Sequence, residues 1–121
     1  MFPDLKYFTE KEFACKCGCG ENKMQPTFLW KLEQARGLAG IPFNITSGYR
    51  CSKHNKEVGG KPSSDHLTGR AVDVMAKNSR DRFVIVNAAL NTGITRIGIG
   101  KTFIHLGDGR NNPKRVLWIY F

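Results

Sequence analysis

"SSDHLTGRAVDVMA", residues 63–76, puts His66, Gly69 and Asp73 on a loop that runs into a strand. Residues 71–76, "AVDVMA", alternate with the period of two expected of a strand, so Asp73 falls mid-strand between Val72 and Val74. A carboxylate there needs a compensating partner. Arg70 or a lysine is one possibility and a metal ion is another. His105 lies in a second apolar strand, "TFIHLG" at 102–107, where alternation sends it to the face opposite Ile104 and Leu106. Two histidines and a carboxylate with one position left open form the usual ligand set of catalytic zinc.

The elements around this stretch set the fold class. Thr9 followed by Glu12 is a capping-box pattern and predicts a short helix near the start. Residues 27–39 place Phe28, Leu29, Leu32, Ala35 and Leu38 on one helical face, with Thr27 as N-cap and Gly40 as the stop. "IPFNITSGYR", residues 41–50, reads as a strand ending in a turn. A second helix is expected over 80–91, with Ser79 as N-cap and Gly93 just beyond its end. Strands at 95–100, 102–107 and from 116 onward are separated by short Gly- and Asn-rich turns, which predicts an antiparallel meander. Helices followed by hairpins indicate an α+β fold, a small, mainly antiparallel sheet with helices packed on one side. With 121 residues and no repeats, residues 1–121 are expected to be a single domain.

The chain carries 19 basic and 10 acidic side chains, a net charge of +9. The basic residues are scattered, which suits attraction to a polyanion better than a dedicated groove. Nucleic acid, an anionic membrane face and cell-wall polymers all qualify. There is no nucleic-acid motif and no interleaved aromatic–basic stripe, so specific nucleic-acid binding is not expected. No apolar run approaches the roughly 18 residues that a membrane span requires, and membrane insertion is not expected either. The first residues, "MFPDLKYFTEKEF", lack the basic-then-apolar pattern of a secretory signal, so the expected place of synthesis is the cytoplasm.

Cys15, Cys17, Cys19 and Cys51 are the four cysteines. A zinc knuckle with Cys51 as fourth ligand, a disulfide from Cys51 to one of the other three, and free, partly buried thiols are all open readings. The repeated C-x-C spacing fits the usual C-x₂₋₄-C hook poorly.

The span from Ser64 to Asp73, "SDHLTGRAVD", resembles the pattern S-x-H-x-x-G-x-A-x-D of the zinc D-Ala-D-Ala carboxypeptidases and their relatives. That group includes vancomycin-resistance dipeptidases and many phage endolysins. The resemblance extends upstream through "ITSGYRCSKHNKEVGG" at 45–60 and downstream through "RIGIGKTFIHLG" at 96–107. The "FACKCGCG" lead-in is similar to that of the small single-domain branch. The resemblance implies the zinc peptidase fold shared by hedgehog and DD-peptidase domains, with Zn²⁺ held by His66, Asp73 and His105. It implies that Arg50 steadies the developing oxyanion, that Ser64 and Ser47 face substrate, and that small Ala71 keeps the cleft floor low. Gly69 would turn the chain from the His66 loop into the Asp73 strand.

The general base departs from the family pattern. Relatives commonly place an acid three residues before the second zinc histidine or two after it, where this chain has Thr102 and Gly107. Asp108 is the nearest acid and is expected to turn back over the metal and act as base; His54 is the alternative, and Asp65 is expected to point away. The resemblance implies a zinc metallopeptidase, of carboxypeptidase or endopeptidase type, that hydrolyses peptidoglycan stem or cross-link peptides. Such an enzyme would be a monomer attracted to anionic wall polymers and would act on the wall after release. The missing base keeps a second expectation alive, a non-catalytic zinc-containing wall-binding module.

Overall fold

A computed structural model describes residues 2–121. The chain enters through a single 3-10 turn, Glu10–Phe13, whose N-cap Thr9 donates its backbone N–H to Glu12 Oε2 at 2.7 Å. Helix α1 follows at Pro26–Ala39 and ends at Gly40, which takes the left-handed conformation at φ 69°. Its N-cap is Gln25, not Thr27, because Pro26 occupies the first helical position, where its missing N–H and fixed φ cost nothing. After β1 (Ile45–Ser47) comes α2 (Ser52–Glu57), a short helix with no apolar periodicity to announce it. A 3-10 turn at Asp65–Thr68 leads to β2 (Ala71–Met75), and α3 spans Ser79–Asn91. Asn78 caps α3 in place of Ser79, its side-chain oxygen accepting from Asp81 N–H at 2.8 Å. Strands β3 (Arg96–Ile99), β4 (Phe103–Gly107) and β5 (Val116–Ile119) complete the sheet.

The five strands lie in the order β1-β2-β4-β3-β5. All neighbours are antiparallel except β3 and β5, which run parallel with Arg96 opposite Val116 and Ile99 opposite Ile119. The fold is therefore α+β with a mostly antiparallel sheet, but the last three strands are not a meander. β4 is central, with β2 and β3 on its two sides, so no edge of it is left for β5. The chain after Gly107 crosses to the open edge of β3 and arrives there parallel.

Strand alternation gives the sheet two faces. Val72 and Val74 of β2, Ile104 and Leu106 of β4, and Ile97 of β3 are buried beneath the helices. Phe28, Leu29 and Leu32 of α1 and Ile85, Ala88 and Ala89 of α3 close the other side of this core. Each fully buried Leu, Ile or Phe side chain stabilises the fold by about 1.5–3 kcal/mol. The opposite face carries Asp73 and His105 on the two central strands, which hold them rigidly above the core.

Candidate metal centre and cleft

His66 is positioned from both ends of its 3-10 turn. Ser64 caps the turn, its Oγ accepting from His66 N–H at 3.2 Å. Gly69 ends it at φ 71°, and its carbonyl accepts from Gln25 N–H at 2.9 Å. A Cβ at Gly69 would stand 2.8 Å from Met24 Cα and collide with the Lys23 carbonyl oxygen, so both conformation and space demand glycine. The chain can then pass from His66 into β2 within a few residues.

Asp73 and His105 are direct partners across the β2–β4 pairing. His105 Nδ1 lies 3.1 Å from Asp73 Oδ1, and His66 Nε2 lies 3.3 Å from that same oxygen. His66 Nδ1 is 2.7 Å from the Gly48 carbonyl oxygen, which can only accept, so Nδ1 carries the proton. Nε2 is left with a bare lone pair aimed at a carboxylate oxygen, and it has no hydrogen-bond partner although it is fully buried. Two electron-rich atoms facing one another in a buried site call for a cation. One ligand atom from each of His66, Asp73 and His105 falls within 4.8 Å of the others, and the set is the one zinc prefers. The Gly48 carbonyl fixes the His66 tautomer in the manner usual for zinc-ligating histidines.

The electrostatics keep Asp73 and His105 in metal-binding form. Burial alone would raise the Asp73 carboxyl, but the two imidazoles, His105 foremost, outweigh it and hold the group well below the usual carboxylate range. Burial pushes His105 down from the ordinary imidazole value, against the pull of Asp73. Both shifts favour an ionised Asp73 carboxylate beside a neutral His105 imidazole.

Arg50 stands on the open side. Its Nη2 is 3.4 Å from Asp73 Oδ2, while Nε donates to Ser47 Oγ at 3.1 Å and Nη1 to Asn55 Oδ1 at 3.2 Å. The guanidinium is thus clamped at three points beside the metal ligands. Asn55 belongs to α2, which gives that short helix its purpose at the site. A cleft of about 900 Å³ opens here, lined by Arg50, Lys61, His66, Asp73, His105 and Trp118 among others. The Trp118 ring, from edge strand β5, lies 5.3 Å from that of His105 and forms one wall.

Other expected site residues fall elsewhere. The reading of Asp108 as base is corrected. Its carboxylate is buried, with Oδ2 2.9 Å from Lys31 Nζ on α1 and Oδ1 3.4 Å from Arg70 Nη1, and it does not line the cleft. Two cations draw it toward the helix layer, away from the metal ligands. His54, on α2, does not line the cleft either. Ser64 and Ser47 lie near the centre, but their hydroxyls are engaged in orienting His66 and Arg50. Asp65, expected to point away, is a buried hub. It accepts from Arg96 Nε at 2.7 Å, from Gly109 N–H at 3.2 Å and from the Asn112 amide, and so ties β3 and the β4–β5 connection to the turn that carries His66. A Cβ at Gly107 would lie 2.7 Å from Asp65 Oδ2 and 3.2 Å from His105 Nε2. The Asp65 carboxylate therefore occupies the space that a side chain at 107 would need. No local pattern marked Asp65, because its partners come from distant segments.

Comparison with known proteins agrees with this geometry. The family model described as Peptidase M15 matches residues 6–107. Over 90 residues the chain is 36% identical to the zinc D-Ala-D-Ala carboxypeptidase of Streptomyces albus G, a stretch covering 68% of this chain and 35% of that protein. The chain thus matches about a third of its relative's length. Zinc is the cofactor that suits both the relative and the His66, Asp73 and His105 set. With its match running from residue 6, ahead of the first 3-10 turn, to the end of β4, the chain belongs to the M15 peptidase family.

Proposed function

We propose that this chain is a zinc-dependent peptidase that hydrolyses peptidoglycan stem or cross-link peptides. The observation that carries the reading is the orphaned, buried Nε2 of His66 beside Asp73 and His105, at the floor of an open cleft. When bound there, zinc supplies a Lewis acid that polarises a peptide carbonyl and makes water acidic enough to react near neutral pH. The chain's own residues do the rest. Arg50, held by Ser47, Asn55 and Asp73, presents fixed donors to an oxygen that gains negative charge. Trp118 and Tyr120 line one side of the cleft. Lys61 lines the cleft and forms no ion pair among the described residues, which suits a peptide ending in a carboxylate, as a D-alanyl terminus does. The net charge of +9 suits a substrate embedded in anionic wall polymers. On this reading the domain acts as a monomer on the cell wall, in the manner of an endolysin.

One observation favours a second reading. Among the described residues lining the cleft, the carboxylates are Asp73, which serves as a ligand, and Asp65, which is committed to Arg96. A chain lacking a free base would bind zinc and wall peptides without cutting them. Incubating the zinc-loaded protein with purified peptidoglycan, and following new amino or carboxyl termini by mass spectrometry, decides between them. New termini that disappear with chelation support the peptidase. Sedimentation with the wall without any cleavage supports the binding module.

A further inference from the structure

The second concentration of chemistry lies at the N-terminal lead-in. Cys15, Cys17, Cys19 and Cys51 have Sγ atoms that all lie within 4.8 Å of one another, and all four are free thiols. Cys15 and Cys17 are 3.5 Å apart, and Cys51 is 3.7 Å from each of them. Four sulfurs about 2.3 Å from a central zinc ion form a tetrahedron with edges of about 3.8 Å. Core packing does not explain the gathering, since Cys17 and Cys19 are exposed and the residues between them and around them are glycine, lysine and glutamate.

The backbone is arranged for the sulfurs as well. Cys51 N–H donates to Cys15 Sγ at 3.4 Å, and His54 N–H donates to Cys51 Sγ at 3.4 Å. Such donors favour the thiolate over the thiol. Gly18 and Gly20, at φ 88° and 78°, let the chain turn on either side of Cys19, and Cys15 N–H closes the loop by donating to the Glu21 carbonyl at 2.9 Å. The C-x-C-x-C spacing that departs from the usual hook is thereby accommodated: three sulfurs from one tight loop converge on a fourth from a distant segment.

We propose that Cys15, Cys17, Cys19 and Cys51 form a second, structural zinc site. Each thiol releases its proton to solvent on binding, and four protein ligands leave no position open for substrate. The site would tie the lead-in to the segment just before α2. The same two segments already meet where Tyr49 N–H donates to the Phe13 carbonyl at 2.9 Å. Arg50 lies between Tyr49 and Cys51, so a metal here would brace the backbone of the cleft arginine from behind. The inference is independent of the peptidase reading.

The test is the metal content of the reduced, full-length chain after loading with zinc alone and exhaustive dialysis. Two zinc ions per chain are expected in the native protein and one in a His66→Ala/His105→Ala variant. On that background, cobalt(II) should give an intense thiolate charge-transfer band in the near ultraviolet. Cys17→Ser and Cys19→Ser, both at exposed positions, should each weaken or abolish the band while circular dichroism reports a folded chain. Zinc should also protect all four thiols of the His66→Ala/His105→Ala variant from a thiol reagent. The proposal is overturned if that variant retains no zinc and its thiols react at the same rate with and without the metal. It is equally overturned if the native protein isolated without reductant carries a disulfide among these cysteines. Failure of the His66–Asp73–His105 reading has a different signature, one zinc per native chain that is unaffected by the histidine substitutions.

Discussion

Gly107 stands where related peptidases often carry an acid, and introducing Gly107→Asp tests why this chain does not. The new Cβ would lie 2.7 Å from Asp65 Oδ2, so a second carboxylate would enter a space already filled by a buried one. Two like charges about 4 Å apart at an effective dielectric constant near 20 repel by about 4 kcal/mol. Arg96 is the direct strand partner of Gly107 and sits between the two acids, so it offsets part of that repulsion. Gly107→Asp alone should therefore destabilise the metal-free fold by about 2–4 kcal/mol. Asp65→Ser alone leaves Arg96 mostly buried without its carboxylate, a loss of about 3–5 kcal/mol by the rule for a broken buried pair.

Combined, the two substitutions should not add. The serine clears the space, and an aspartate at 107 can reach Arg96 from across the β3–β4 pairing. The double variant should recover to within about 2 kcal/mol of the native chain, a coupling of at least about 3 kcal/mol. The assay is equilibrium denaturation in urea of all four metal-free proteins, with zinc affinity measured alongside because the exchanged carboxylate lies beside His105. If the two losses add to within about 0.5 kcal/mol, the two positions do not share one carboxylate site and the reasoning fails.

Three further outcomes follow from the same geometry. Arg50→Lys should keep zinc content but lower kcat on a stem-peptide substrate by about 10²–10³-fold with little change in KM, because an ammonium cannot reproduce the clamped guanidinium's directed donors; an unchanged kcat refutes the role. Gly69→Ala should lower stability by about 3–5 kcal/mol in urea melts, through the left-handed backbone and the collision with the Lys23 carbonyl, and a loss under about 1 kcal/mol would contradict it. The shifts of Asp73 and His105 fix a pH dependence. Both groups are depressed in the folded chain, so the unfolded chain takes up the protons first and stability is lost as pH falls. The metal-free protein's Tm should decline from about pH 6.5 downward, where an unfolded histidine begins to protonate, and the decline should be shallower in His105→Gln; a Tm that rises on acidification contradicts the assignment.

The parts of this molecule that can be read from sequence are those whose signals are local. Strand alternation around Asp73 and His105 placed both on the face away from the helices, and their pairing across β2 and β4 is the structural expression of that alternation. Helices α1 and α3 announced themselves through apolar periodicity, although a proline and an asparagine moved their caps by a residue or two. What was not legible depends on which segment crosses to which edge. β5 follows an eight-residue connection, 108–115, and nothing within either strand states that it passes β4 to pair with β3. The same connection decided the fate of the acids. Asp108, three residues after His105, is the nearest acid to it in sequence, yet Lys31 and Arg70 hold its carboxylate outside the cleft.

Asp65 shows the converse. It neighbours a metal ligand in sequence, and it earns its role only through Arg96, Gly109 and Asn112, each more than 30 residues away. Its burial depends on Gly107, since any side chain there would contest the same volume. An acid at 107 and an acid at 65 are thus alternative ways to satisfy Arg96 beside the second histidine, one delivered by β4 itself and the other by the turn before β2. The carboxylate is supplied from another segment, where it is held against Arg96 and braces the His66 turn instead of facing substrate. Through Arg96, Gly109 and Asn112 it fastens the turn that carries His66 to β3 and to the β4–β5 connection, so the geometry of the metal centre rests on the carboxylate that Gly107 makes room for.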